Sequence, residues 1–218
     1  MASEVQDAHA IEEPSVPHDL PKAREPLRWG RLGGCLAAAG VLVLLDLWSK
    51  SAVFAWLGDP ATHASLPIDS HGHAREVLAG NWLALMLNLN YGAAFGRLAG
   101  IPHALVLGRL LAIGLLGWLI LRAPDGQRVY LLALILILAG ATGNLYDNFF
   151  YHPGAADIPR PTSGKPFGPV RDFIDVYFPA FDWHFPTFNV ADSCITMGAA
   201  LLLLSGLRPH GKAASAAD

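Results

Sequence analysis

With 53% hydrophobic residues among 218 and only 15% charged, the chain falls well below the charge content of soluble domains, roughly 25%. Its mean hydropathy is +0.37, and its formal net charge of -3 is too small to favour nucleic acid or any strongly charged partner. The composition therefore points to a membrane protein.

Residues 1–32 are polar and rich in Pro, Asp and Glu, which reads as a disordered tail rather than a cleavable signal peptide. Four apolar runs follow, each long enough for a hydrocarbon core that needs about 20 helical residues. They lie at about 33–56, 103–121, 129–149 and 189–207, so the expected domain is a four-span unit over 33–208 with a second tail at 209–218. Between the first two runs, Asn81–Asn90 alternates polar and apolar residues and predicts strand pairing, closed by the Gly-containing turn YGAAFG. Between the last two, Tyr151–Pro169 holds five prolines and three glycines and reads as an irregular insertion. The aromatic and acidic stretch DFIDVYFPAFDWHFP then has the composition of a segment lying in the headgroup zone.

Lys and Arg close to the span ends set the orientation. Lys22, Arg24, Arg28 and Arg31 precede the first run, Arg122 and Arg128 flank the turn between the second and third, and Arg208 and Lys212 follow the fourth. The two long connections, 57–102 and 150–188, share only Arg75, Arg97, Arg160, Lys165 and Arg171. Both termini are thus expected on the cytoplasmic side and both long loops outside. Cys35 and Cys194 fall near opposite faces on this topology, so no disulfide is expected.

Placed on that topology, the costly residues gather at one depth. Asp46, Ser49 and Lys50 lie late in the first span, Asn144 and Asp147 end the third, Asn189 and Asp192 open the fourth, and Asp172 and Asp175 stand just before it. Asn144 and Asp147 share a helix face, as do Asn189 and Asp192, and Asp46 is spaced to pair with Lys50. Ionisable groups at membrane depth cost several kcal/mol by the smaller estimates and mark functional cavities. Two carboxylates brought together share a proton: one serves as base towards water while the other polarises a carbonyl. Nearby Asn side chains orient the pair or donate to an oxyanion. Spacing alone does not select among Asp147, Asp172 and Asp175 for this work.

Other chemistries have weaker support. Ser49 and Lys50 are helix neighbours and point about 100° apart, so Lys50 is expected to pair with Asp46 or to snorkel. His71 and His73 sit in a polar loop, His152 and His184 look isolated, and no metal-ligand spacing exists. Arg109, about two turns into the second span, is expected to snorkel outwards. A proton-coupled transporter would place carboxylates near mid-bilayer in paired, broken halves, whereas the third run continues without proline from Val129 to Ala141 before Thr142. A non-catalytic lipid-binding scaffold would not need the acidic residues.

The blocks DLWSK (Asp46–Lys50), NYGAAF (Asn90–Phe95), GNLYDN (Gly143–Asn148), VRDFID (Val170–Asp175) and FNVADS (Phe188–Ser193) resemble, in order, those of the lipoprotein signal peptidase (signal peptidase II) family. The resemblance implies an all-α membrane protein with four transmembrane helices, a small periplasmic β-cradle and a periplasmic loop or helix. It also implies an aspartic endopeptidase of the bacterial inner membrane, without cofactor and as a monomer. Such an enzyme cuts diacylglyceryl-modified prolipoproteins before the lipidated cysteine and is blocked by globomycin. By motif position Asp172 and Asp192 would be the catalytic pair, with Asp46, Lys50, Asn90, Asn144, Asp147 and Asn189 in support. Asn148 and Leu89 stand where the family pattern carries Arg, which leaves Arg171 or Arg160 to replace a missing cation, and the 151–169 insertion lengthens a usually short connection.

Overall fold

The structure is a computed structural model, and it describes residues 29–68, 74–92, 100–153 and 165–206. The apolar runs form helices α1 (Trp29–Gly58), α3 (Pro102–Arg122), α4 (Arg128–Phe150) and α5 (Val190–Gly206), with a short α2 (Pro60–His63) after the first. Among the described residues, α1, α3 and α4 are long and apolar enough to cross a membrane, while α5 is a shorter apolar helix that reaches the end of the described chain. The thirty residues of α1 rise about 45 Å. This helix begins at Trp29, four residues before the expected start, and the rest of the expected N-terminal tail lies outside the described residues, as does the C-terminal one.

Sequence signals set the helix ends. Pro102 opens α3, where a missing backbone N–H costs nothing. Beyond Arg122 the chain turns through Pro124 and Gly126, whose φ of 79° suits glycine. There Arg31 of α1 donates to the Ala123 carbonyl and pairs with Asp125, closing this end of the bundle. Helix α4 lies at the centre. Cys35, Ala39, Leu116, Ile120, Leu134 and Leu138 from α1, α3 and α4 form one apolar core. Against α5, α4 packs through glycine: a Cβ at Gly140 would meet the Ala191 carbonyl, and one at Gly198 would lie 2.7 Å from the Ala133 carbonyl oxygen. The outward faces stay apolar, with Val41, Leu44 and Trp48 on α1, Leu107, Leu111 and Leu115 on α3 and Leu203 on α5 exposed. Such a belt belongs in lipid.

The long connections build an antiparallel sheet in the order β1-β2-β3-β4, from β1 (Glu76–Ala79), β2 (Leu83–Asn90), β3 (Val170–Phe178) and β4 (Trp183–Phe188). The strand expected over 81–90 is present as β2. The aromatic and acidic stretch whose composition suits the headgroup zone forms most of β3, a 3-10 turn at Pro179–Phe181 and β4. Its alternation was hidden because β3 is covered on both faces at its start: Val170, Arg171, Asp172 and Phe173 are all buried. Below the sheet, Phe54 of α1, Leu89 of β2 and Phe173 of β3 form a second apolar cluster. Leu89 is thus a core residue and carries no polar role. Register Asn88↔Asp172 and Asn90↔Val170 sets Asn90 diagonally across from Asp172. The described ends of the insertion, 151–153 and 165–169, are irregular, and its middle lies outside the described residues. The expected turn after Asn90 is described only as far as Gly92.

Candidate active site

Helix α5 begins at Val190 immediately after β4, so its free N–H groups open at the sheet–bundle junction. Three acceptors meet them. Asn189 Oδ1 accepts from the Asp192 N–H at 2.9 Å, and the Asn189 carbonyl from the Ser193 N–H at 3.1 Å. Asp46 Oδ1, from α1, accepts from the Ala191 N–H at 2.8 Å. Reciprocally, Asp192 Oδ2 accepts from the Asn189 N–H at 3.3 Å. This is a capping box written with Asn and Asp in place of Ser and Glu.

The same Asn189 reaches the strand. Its Nδ2 donates to Asp172 Oδ1 at 2.7 Å, and Asn90 Nδ2 donates to Asp172 Oδ2 at 3.0 Å. Asp192 Oδ1 in turn accepts from Asn144 Nδ2 at 2.8 Å. Asp172 is fully buried and Asp192 half-buried. Burial first, and the charge of Asp192 second, push the Asp172 carboxyl up to about 7, against the pull of the Asn90 and Asn189 amides.

A charged layer lies directly behind. Lys50 is completely buried, which excludes snorkelling; its ammonium contacts Asp46 at 2.7 Å and Asp147 at 3.4 Å and donates to Asn144 Oδ1 at 2.9 Å. Ser49 turns its hydroxyl onto the Asp46 carbonyl of its own helix, so no Ser–Lys pair is assembled. Asp147 also takes Arg171, through Nη2 at 2.7 Å and the Arg171 backbone N–H at 3.0 Å. Arg171 Nη1 donates to Ser51 Oγ at 3.1 Å, and the guanidinium lies 4.5 Å from the Tyr151 ring centre. Gly143 makes room here, since a Cβ would fall 2.5 Å from Asp46 Oδ2.

The expected residues Asp46, Lys50, Asn90, Asn144, Asp147, Asp172, Asn189 and Asp192 therefore converge on one connected network. Asp175 does not join it. Although it stands three residues from Asp172, its carboxylate pairs with Arg75 and with His184 Nδ1, the latter at 2.9 Å. His184 is thus not isolated: it also packs on Tyr177 at 4.6 Å between ring centres. Arg109 does not snorkel outwards either. It is half-buried and donates to Asn148 Oδ1, while Asn148 donates to the Gly168 carbonyl at 2.8 Å. Lys165 sits 3.3 Å over the Tyr91 ring, beside a cavity of about 50 Å³ that also touches Val106 and Asn148. That volume suits a few waters and no peptide. The roles of Ser51, Tyr151 and Arg75 carry no spacing signal, since their partners come from distant strands. Cys35 and Cys194 are buried and free. Among the described residues no group of His, Cys, Asp or Glu is arranged to hold a metal ion.

Fold and site together define an integral membrane protein with a pair of carboxylates bridged by one asparagine where its helical bundle meets a small sheet. Two solved structures, each described as a bacterial membrane enzyme structure obtained by the in meso method, share this fold. The first, at 2.3 Å resolution, has a TM-score of 0.60 and 22% identity over 85% of this chain and 94% of that one. The second, at 1.9 Å, has a TM-score of 0.56 and 23% identity over 81% and 94%. The lipoprotein signal peptidases of Burkholderia ambifaria, Burkholderia vietnamiensis and Burkholderia mallei are each 34% identical over 186 residues, covering 82% of this chain and 90% of theirs. The family model for signal peptidase (SPase) II matches residues 38–208. The chain belongs to the signal peptidase II family and is an aspartic peptidase, a hydrolase.

Proposed function

We propose that this chain removes the signal peptide from diacylglyceryl-modified prolipoproteins, cutting before the lipidated cysteine, with Asp172 and Asp192 as the catalytic pair. The observation that carries the reading is the Asn189 bridge. Of the acidic residues left open by spacing, Asp172 alone shares a hydrogen-bonding partner side chain with both Asp192 and the network around Asn144. Asp147 is neutralised by Lys50 and Arg171, and Asp175 by Arg75.

In this reading Asp172, raised to about 7, holds the shared proton and donates it towards the scissile carbonyl oxygen. Asp192, at the positive end of α5, accepts a proton from water. The resulting hydroxide oxygen bonds to the carbonyl carbon; the C–N bond then breaks as the proton on Asp192 passes to the leaving amine and Asp172 takes back its proton from the diol as the carbonyl re-forms. Asp46, Lys50, Asn90, Asn144, Asp147 and Asn189 hold the pair in place.

The charge bias of the loops supports cytoplasmic termini and a site on the periplasmic side, while the bacterial inner membrane and a monomeric enzyme are what the family resemblance implies. A diacylglyceryl group would bring its cysteine to headgroup depth, with its acyl chains against the exposed leucines of α3 and α5. Asp172→Asn and Asp192→Asn, each purified in detergent, are expected to lose cleavage of a lipidated prolipoprotein while keeping the fold, and globomycin is expected to block the unaltered enzyme. Near-normal turnover by either variant refutes the pair. Equal cleavage of a substrate lacking the lipid refutes the lipid-placed cut.

A further inference from the structure

Arg109 is the one charged residue between the ends of α3. Seven residues from the helix start, it lies about 10 Å along the axis, where an uncompensated charge costs several kcal/mol. Its side chain could reach the outer surface, because helical side chains tilt towards the N-terminus, here the outer end. It turns inwards instead, onto the neutral Asn148. The carboxylates whose charges bear on it are Asp192, then Asp172, then Asp147.

The charges around the pair explain this orientation. Facing it are Lys50 and Asp46 from α1, Asp147 from α4 and Arg171 from β3, while β2 contributes only the neutral Asn90. Lys50 and Arg171 are already matched by Asp46 and Asp147. Among the described residues of that inner layer, no cation is left over to balance a charge on Asp172 or Asp192. With Arg109 counted, the described group is neutral when the pair carries one proton and one negative charge. Without it, the same state would leave a net negative charge in a membrane-depth site.

We propose that Arg109 is a positioning residue of the carboxylate pair: held inwards by Asn148, its charge keeps Asp172 and Asp192 in their singly protonated state. This rests on those two aspartates being the reacting groups. Asn148 and Arg109 touch, so a guanidinium carried at position 148 would occupy the same space as one carried at 109.

The test measures kcat, KM and the pH–rate profile on a lipidated prolipoprotein for R109L, R109K and the swap R109L/N148R, with thermal melting of each. R109L is expected to lower kcat by about tenfold or more with KM within about threefold. It is also expected to move the profile to higher pH, because a removed cation makes both carboxylates harder to ionise. R109K should stay within about fivefold of the unaltered enzyme, and the swap should recover most of the lost kcat. If R109L does not fold, R109K and the swap decide by the same criteria. The proposal is overturned if R109L keeps its kcat and profile, if its loss falls on KM alone, or if a folded swap recovers nothing. If D172N and D192N retain activity, the catalytic pair itself is wrong; if they are inactive while R109L is normal, only the role of Arg109 is.

Discussion

Replacing Lys50 with Met keeps the length and apolar stem of the side chain and removes one ammonium. That ammonium is fully buried and touches Asp46, Asp147 and Asn144. Asp147 would retain Arg171, but Asp46 would keep only the Ala191 N–H among the partners described here. Removing one partner of a buried pair costs about 3–5 kcal/mol, because the other charge stays behind without compensation. For a chain of this size that corresponds to a melting temperature lower by roughly 10 °C. The double variant Asp46→Asn, Lys50→Met removes both charges and should recover at least about 1–2 kcal/mol of the loss, a coupling typical of groups in contact. Intrinsic tryptophan fluorescence during heating in detergent gives both numbers. A Lys50→Met protein melting within about 2 °C of the unaltered one, or a double variant no more stable than the single, would refute the assignment of Lys50 as the neutralising centre of the layer.

Asp172→Asn makes a second, opposite prediction about stability. Because the Asp172 carboxyl is pushed up to about 7, the folded protein binds that proton more tightly than the unfolded chain, whose carboxyl titrates near ~3.9. Its ionisation therefore destabilises the fold progressively as pH rises from about 4 to 7. The Asn variant should melt above the unaltered protein at pH 8 and lose that advantage towards pH 4, even though it is expected to lose cleavage. Gly143→Ala should cost about 1–3 kcal/mol, read as a lower melting temperature, since its Cβ would press on Asp46 Oδ2.

The apolar runs made the helical bundle legible, because a span declares itself by length and hydropathy alone. The convergence of Asp46, Asn144 and Asp192 was legible too, since helices running in alternating directions fix depth. The strands β3 and β4 were not: a strand buried on both faces has no alternation to read, and its register with β2 depends on a partner about eighty residues away. For the same reason the sequence left Asp147, Asp172 and Asp175 equivalent. Asp147 and Asp175 are set apart from Asp172 by the cations they meet, Arg171 arriving through sheet pairing and Arg75 from just before β1. Asn148 and Leu89 are opposite lessons. Leu89 is absorbed into the cluster under the sheet, whereas Asn148 keeps a cation beside it that a different helix supplies.

The capping box of α5 ties the chemistry to a local folding event. Asp192 cannot rotate away from its place without releasing the Asn189 N–H, and Asn189 cannot release Asp172 without loosening its hold on the Asp192 amide. Fraying of the first turn of α5 and disassembly of the carboxylate pair are thus one opening, with one free energy. The backbone amides of Ala191 and Asp192 consequently serve as clocks for the site: their rates of hydrogen exchange measure how often the pair comes apart.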